Sequence, residues 1–203
     1  MNVEEARIAA HICGDGWLTT YLDRNSLQIV HGKKYRQKRI RYVIGYCNTR
    51  KELLNEFEKD MVKQFNITPV KRVNDIRFKS KRVYDRIAYL GGNKSRCWFI
   101  SKEIIDSDDK IKSEWLRAFF DDECTFDPVS QRIRVKSMNE KGLKQVQILL
   151  SSINIPSNIT GQNCDESFYL TIKRKDIHLF LDKITLKHKI KNNKIDKLYP
   201  KQQ

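Results

Sequence analysis

No stretch of this chain stays apolar for the roughly 20 residues a helix needs to cross a bilayer, so no helical membrane span is expected. The first residues, M-N-V-E-E-A-R, are acidic and lack the basic-then-apolar pattern of a secretory signal. That predicts an intracellular protein, in a cytoplasm, nucleoid or organelle matrix, that is not secreted. Cysteine is sparse and scattered, at 13, 47, 97, 124 and 164, and no pair forms C-x-x-C. The histidines at 11, 31, 178 and 188 do not join the cysteines at zinc spacing. Free thiols in a reducing compartment follow, with Cys13 and Cys124 as small core residues. Acids are also short in supply. There are 25 Asp and Glu against 40 Lys and Arg, a net charge of +15. The expected partner is a polyanion, with nucleic acid well ahead of an anionic membrane surface.

What is present is a short motif that occurs twice. Residues 8–16 read I-A-A-H-I-C-G-D-G and residues 116–124 read L-R-A-F-F-D-D-E-C. Each is an apolar run with small residues inside it, ending in a carboxylate and followed by an extended segment. Ile8 and Ile12 are four residues apart, as are Leu116 and Phe120, so each run can be one face of a helix. Asp15 and Glu123 then fall at helix C-termini, where carbonyls lack intrahelical partners and the dipole is negative. Two such ends side by side are unfavourable unless a cation sits between them. Carboxylates with carbonyl oxygens are the ligands that hard divalent ions such as Mg²⁺ prefer. Ala9, Ala10, Cys13, Gly14 and Ala118 are small enough to let two helix backbones meet. In the second run, register favours Glu123 as the ligand, with Asp122 as the alternative. His11 lies too early on its helix to meet Asp15 and reads as a packed or interface histidine.

The surrounding chain repeats as well. A strand is expected over 16–22, then a basic segment H-G-K-K-Y-R-Q-K-R-I-R at 31–41 that is either a solvated loop or a DNA-reaching hairpin. T-R-K-E at 49–52 has the form of a capping box opening a helix to about residue 65, with Leu53, Leu54, Phe57, Met61 and Phe65 as its apolar stripe. Two strands, 69–73 and 76–81, precede a helix over 83–90 that Gly91 and Gly92 stop. Residues 93–112 read as a linker. The second half repeats the order, with strands near 125, over 131–137 and over 167–173, and helices over 139–152 and 175–184. A basic tail with seven lysines from residue 183 follows. The fold class is therefore α+β, with two pseudo-symmetric αββαββα halves: 1–92, then the linker 93–112, then 113–203.

Alternation in the strands separates their faces. Ile40, Tyr42, Ile44 and Tyr46 lie opposite Arg39 and Arg41; Ile76 and Phe78 lie opposite Arg77, Lys79 and Lys81. In the second half Ile133 and Val135 oppose Arg132, Arg134 and Lys136, and Phe168, Leu170 and Ile172 oppose Tyr169, Thr171 and Lys173. The amphipathic helices cover the apolar faces. The other faces stay open and positive, suited to the major groove of DNA.

At the two motifs, A-A-H-I-C-G-D-G and L-R-A-F-F-D-D-E-C, the chain resembles the LAGLIDADG homing endonucleases of the single-chain, two-motif type. His11, Cys13 and Cys124 depart from the usual motif residues. The resemblance implies two antiparallel sheets forming a saddle over a long asymmetric double-stranded DNA site, cut by a monomer. It implies that Asp15 and Glu123 hold divalent metal, with the backbone carbonyls of Gly14 and Asp122 as further ligands. Mg²⁺ or another divalent ion such as Mn²⁺ would support cleavage, and Ca²⁺ binding without cleavage. It also implies a basic or amide side chain near the metals: Lys136 in the second half, and Asn48 near the place where Gln is usual in the first. The alternative is a non-cleaving nucleic-acid-binding protein on the same scaffold, such as an intron RNA maturase or a DNA-binding regulator.

Overall fold

A computed structural model describes residues 1–93 and 96–200. Lys94 and Ser95 of the expected linker, and Lys201 of the basic tail, lie outside them. The first helix, α1 (Val3–Cys13), begins where the Asn2 side chain accepts a hydrogen bond from the Glu5 N–H, with Glu4 and Glu5 favourably placed in its first turn. Strands β1 (Gly16–Val30) and β2 (Lys33–Cys47) form a hairpin turned at His31–Gly32, both with positive φ. A two-residue turn of that kind matches the twist of its strands. Helix α2 (Lys51–Phe65), strands β3 (Val70–Lys71) and β4 (Asp75–Lys79), and helix α3 (Lys81–Leu90) complete the first half. After a short α4 (Lys102–Ile105), the order repeats as α5 (Asp109–Glu123), β5 (Cys124–Asp127), β6 (Arg132–Ser137), α6 (Glu140–Ser152), β7 (Asn158–Thr160), β8 (Phe168–Ile172) and α7 (Ile177–Lys183). A last helix, α8 (Lys189–Asp196), lies in the tail.

The two sheets have the same antiparallel topology, β1-β2-β4-β3 and β5-β6-β8-β7. The fold is thus α+β, with an internal repeat. Register sorts the side chains as the alternation requires. Leu18, Ile44 and Phe78 form one row toward the helices, and Cys124, Val135, Leu170 and Ile159 form its counterpart. The α2 stripe Leu53, Leu54, Phe57 and Met61 is buried against the first sheet. Leu143, Val146, Leu149 and Leu150 of α6 are buried against the second. Each such side chain contributes about 1.5–3 kcal/mol by leaving water. Helix α1 serves both halves: Ile8 and Ile12 pack with the first core, and Ala6, Ala9, Ala10 and Cys13 with the second, beside Trp115, Leu116 and Phe119.

Several local expectations change. The strand after the first motif does not stop near 22. It runs to Val30, so the basic 31–41 segment is the tip and returning arm of a hairpin about 50 Å long. Beyond residue 19 most of that ribbon is exposed. Thr49 does not form a capping box. Arg50 is the first cap residue of α2, without a side-chain cap bond, and the Asn48 side-chain Oδ1 accepts from the Arg50 N–H at 2.9 Å. Lys81 is not on a strand: Ser80 caps α3, and Lys81 opens that helix, paired with Asp85 one turn later at 2.9 Å. Lys173 is the residue that precedes a 3₁₀ turn rather than the last of β8. The linker is also less plain than expected, since it holds α4 and the first turn of α5.

Candidate active site

The second half of each motif run ends a helix and hands the chain to the first strand of a sheet. Cys13 closes α1, and after Gly14 and Asp15 strand β1 starts; Glu123 closes α5 and β5 starts at the next residue. The two helices pack side by side along their small residues and meet at their C-terminal ends. Gly14 is needed there. A Cβ on it would stand 2.8 Å from the Cβ of Asp122, closer than side chains tolerate. The predicted acids Asp15 and Glu123 are brought together at this point.

Their electrostatics follow from that proximity. Partial burial, and then repulsion from Asp122, push the Asp15 carboxyl up to about 6, against the pull of Lys191, His11 and Asn48. Burial, then repulsion from Asp15 and Asp122, push Glu123 up to about 7, with Lys191 pulling the other way. Both acids are destabilised as anions by burial and by neighbouring carboxylates, Asp122 for both and Asp15 for Glu123, which is the condition a bound cation relieves. Among the described residues, no group of three or more His, Cys, Asp or Glu side chains is arranged to hold a metal. A divalent ion here would have two protein carboxylates, with carbonyl, water and phosphate oxygens filling the rest. That is the usual arrangement for Mg²⁺, so the donor set fits.

Asp122, the alternative ligand, is spoken for. Its side chain is fully buried and turned into the first half. One oxygen meets His11 Nδ1 at 2.9 Å; the other accepts from the Tyr46 hydroxyl at 2.6 Å and from Asn48 Nδ2 at 3.3 Å. Asn48 Nδ2 also lies 2.9 Å from Asp15 Oδ2, so it ties the first acid to the second motif. His11 is completely buried. Burial alone would lower its pKa, but the Asp122 and Glu56 carboxylates outweigh that and hold it up at about 9. The Glu56 contact, 3.8 Å from Nε2, is an ion-pair distance rather than a hydrogen bond. Burial, then the Asp122 charge, also raise the Tyr46 phenol, so it stays a donor.

Behind this cluster a charge network knits α1, α2 and α5. Arg7 grips Asp60 with two bonds of 2.7 and 2.8 Å and reaches Glu114 at 3.0 Å. Arg117 reaches Glu56 at 2.9 Å and Asp121 at 2.7 Å. The tail adds two groups. The His188 N–H donates to Asp121 at 2.8 Å, and Lys187 pairs with Glu56.

The carbonyl of Asp122, implied as a metal ligand by family resemblance, has a partner already. Lys191 Nζ donates to the carbonyls of Asp121 at 2.6 Å and Asp122 at 2.9 Å, with Phe120 further off at 3.4 Å. A divalent ion that used that carbonyl would meet Lys191 there. Lys191 was not visible beforehand, and His11 is the packed interface histidine expected, with Asp122 as the partner that was not foreseen. The signal for His11 was available. A carboxylate at position 122, where the first motif has Gly14, must be satisfied at the helix contact, and His11 lies on the facing helix about one turn before Gly14.

Lys136 and Glu123 line one cleft of about 310 Å³, with Gly14, Arg96 and Asp165 among its other walls. Lys136 is exposed there, paired with Asp165 and 5.9 Å above the Tyr169 ring. Outside the cleft the open sheet faces carry the expected residues in register. Arg77 pairs with Gly45 and lies 5.6 Å over the Trp17 ring, which fills the space a side chain at 45 would need. Lys79 is in line with Val43, Arg39 with Asp23, and Arg41 forms a 3.0 Å ion pair with Asp23. On the second sheet, Thr125, Arg134, Thr171 and Asn158 make one row, and Lys136, Tyr169 and Thr160 the next; Arg132 pairs with Asp127.

Residues 110–185 match the family model described as a LAGLIDADG-like domain. No curated protein sequence matches the chain significantly. Among solved structures, I-DmoI in complex with DNA and Mn superposes with a TM-score of 0.64 at 18% identity, covering 90% of this chain and 97% of that one. I-DmoI in complex with DNA and Ca gives 0.65 at 18%, covering 91% of each. Full-length DUF199/WhiA from Thermatoga maritima gives 0.56 at 18%, covering 98% of this chain and 60% of that one.

Proposed function

We propose that this chain, which carries a LAGLIDADG-like domain at residues 110–185 on a fold shared with the I-DmoI homing endonuclease, is a site-specific, divalent-metal-dependent DNA endonuclease of the intron-homing type. The observation that carries the reading is the meeting of Asp15 and Glu123 at the paired ends of α1 and α5, each at the start of a sheet with a basic open face. Two mutually repelling carboxylates beside a polyanion-binding surface make sense as a cation site between protein and phosphate. A pure binder gains nothing from them.

The roles then divide. The rows Arg39, Arg41, Arg77 and Lys79, and Arg132, Arg134, Lys136, Tyr169 and Thr171, lie along the DNA, fixing the duplex through phosphates and reading base edges. Asp15 and Glu123 hold the divalent ion, Mg²⁺ or Mn²⁺, with Ca²⁺ supporting binding alone. When bound, that ion supplies a water-derived nucleophile at neutral pH and charge stabilisation at the leaving oxygen. Asn48 orients Asp15 through its amide. Lys136, in the Glu123 cleft, is the basic group placed to steady charge on the phosphate of that strand. Each acid serves one strand, and one chain provides both half-sites, so a monomer suffices.

A second reading, a non-cleaving DNA- or RNA-binding protein, is favoured by one observation, the cation Lys191 already seated at the α5 end. Incubating the protein with a randomised DNA library, in Mg²⁺ and in EDTA, tests the choice. The nuclease reading expects Mg²⁺-dependent breaks at one long sequence with a short staggered overhang. Selective retention of DNA without breaks would overturn it in favour of binding alone.

A further inference from the structure

The two acid-bearing helix ends are not equivalent, and the difference comes from the tail. At the α1 end, the Gly14 N–H bonds back to the Ala10 carbonyl, and Asp15 is held by a neutral amide. At the α5 end, an ammonium is seated on the last carbonyls, about where a hard cation would seek oxygen ligands. This seat is built rather than incidental. His188 Nδ1 accepts from the Lys191 N–H and so starts α8. The His188 N–H is anchored to buried Asp121, Lys187 is paired with Glu56, and Leu186 and Ile195 are buried in the second core. The tail is therefore fixed at points on both sides of residue 191, and the side chain of Lys191 is delivered to one place.

We propose that Lys191 is a tethered cation that holds the α5 carbonyls in the absence of a divalent ion and competes with that ion for the site. The inference rests on the nuclease reading only for its consequence, not for its test. If Lys191 and a divalent ion compete for one set of oxygens and one patch of negative charge, the metal must bind more weakly with Lys191 seated than without it. In limiting metal, cleavage is then slower than it would be without that ammonium. Lys191 is a positioning residue in this account. It sets the occupancy of the site without touching the reacting atoms.

The test is a Mn²⁺ titration of the full chain, following free ion by electron paramagnetic resonance with no DNA present. Lys191→Met is expected to bind Mn²⁺ about tenfold more tightly, the order of effect of removing one nearby like charge. Lys191→Arg keeps the charge and is expected to behave as the unaltered protein. Lys194→Met, which removes a charge elsewhere on α8, is expected to change little. Equal affinities for Lys191→Met and the unaltered protein would overturn the inference, and so would an equal gain in the Lys191→Arg and Lys194→Met proteins. Should Lys191→Met fail to fold, the unaltered protein still decides the matter. Saturating Mn²⁺ is expected to speed hydrogen exchange of the amides of 189–196, as the ammonium gives up its carbonyls. Unchanged exchange would overturn the proposal. The nuclease reading fails separately: tighter Mn²⁺ binding by Lys191→Met with no DNA breaks would sustain the tethered cation and remove the endonuclease.

Discussion

The first and second motifs share a pattern of apolar run, small residues and terminal acid, yet the chain has specialised their ends in opposite ways. The α1 end is spare. Gly14 leaves room for the neighbouring helix, and Asp15 reaches solvent beside Asn48. The α5 end is crowded. Asp122 stands where the first motif has Gly14 and sends its carboxylate across to His11, Tyr46 and Asn48, while Lys191 caps the carbonyls behind it. Glycine on one helix makes space for a carboxylate on the other. A duplicated motif need not give a symmetric site, because only one of two touching helices has to be thin where they touch. The other is then free to carry a group that ties the halves together.

The largest expected effect comes from cutting that tie. His11→Ala leaves Asp122 and Glu56 facing a cavity with less positive charge. It is expected to lower stability by about 3–5 kcal/mol in denaturant unfolding at pH 7, the usual cost of orphaning a buried charge. The sign with pH follows from the raised pKa of His11. Its charged-state stabilisation is complete below about 6.5 and is lost as pH rises through about 9. The deficit of the variant should therefore shrink in alkaline buffer. A deficit that stays constant from pH 6 to 10 would show that His11 acts by packing alone.

The acids themselves come next. Asp15→Asn and Glu123→Gln are each expected to reduce cleavage of one strand by about 10²- to 10³-fold, the usual loss when one group is removed from a preorganised electrostatic site. DNA binding in Ca²⁺ should change far less. Strand-specific end labelling of the cleaved duplex reads the effect. Normal cutting of both strands by Asp15→Asn would sink the assignment of that residue.

The raised pKa values of the two acids give a pH prediction. In metal-free protein, the stability they contribute is full below about pH 4 and is lost as pH rises through about 6 for Asp15 and about 7 for Glu123. A divalent ion binds the deprotonated forms. The rise in melting temperature on adding Mg²⁺ should thus be small at pH 5 and grow up to pH 8. Because Asp15 helps to raise Glu123, Asp15→Asn should move the remaining midpoint to lower pH. A Mg²⁺ effect independent of pH between 5 and 8 would separate the ion from these carboxylates.

The smallest effect concerns the sheet faces. Arg134→Ala, in the middle of the second open face, should weaken DNA binding and reduce the slope of log affinity against log salt by about 1 if it contacts phosphate. An unchanged slope together with relaxed sequence preference would move it to base contact instead.

Much of this architecture was legible in the sequence, because its signals are local. Period-2 alternation at 131–137, the apolar stripe of α2 and the doubled motif each follow from spacing along a few residues. They gave the repeat, the sheet faces and the pairing of Asp15 with Glu123. What was missed turned on which of several neighbouring polar residues takes a cap bond and, for Lys191, on distant partners. Nothing near Thr49 announces that Asn48 will take the Arg50 N–H and displace the capping box. Lys81 continues the alternation of β4, but Ser80 caps a helix at that point and ends the strand. Lys191 is one of seven lysines in the tail, and only the seating of Leu186, His188 and Ile195 singles it out.

The most direct test of the central claim, that the α1 and α5 ends form one cation site, is to place a redox-active ion there. Fe²⁺ with ascorbate and peroxide cleaves polypeptide close to where the iron is bound, and mass spectrometry reads the positions. The account predicts backbone cuts around residues 14–16 and 122–124 in the same preparation, both suppressed by excess Mg²⁺ and both weakened by Asp15→Asn. Cuts elsewhere, or none at these two helix ends, would contradict it.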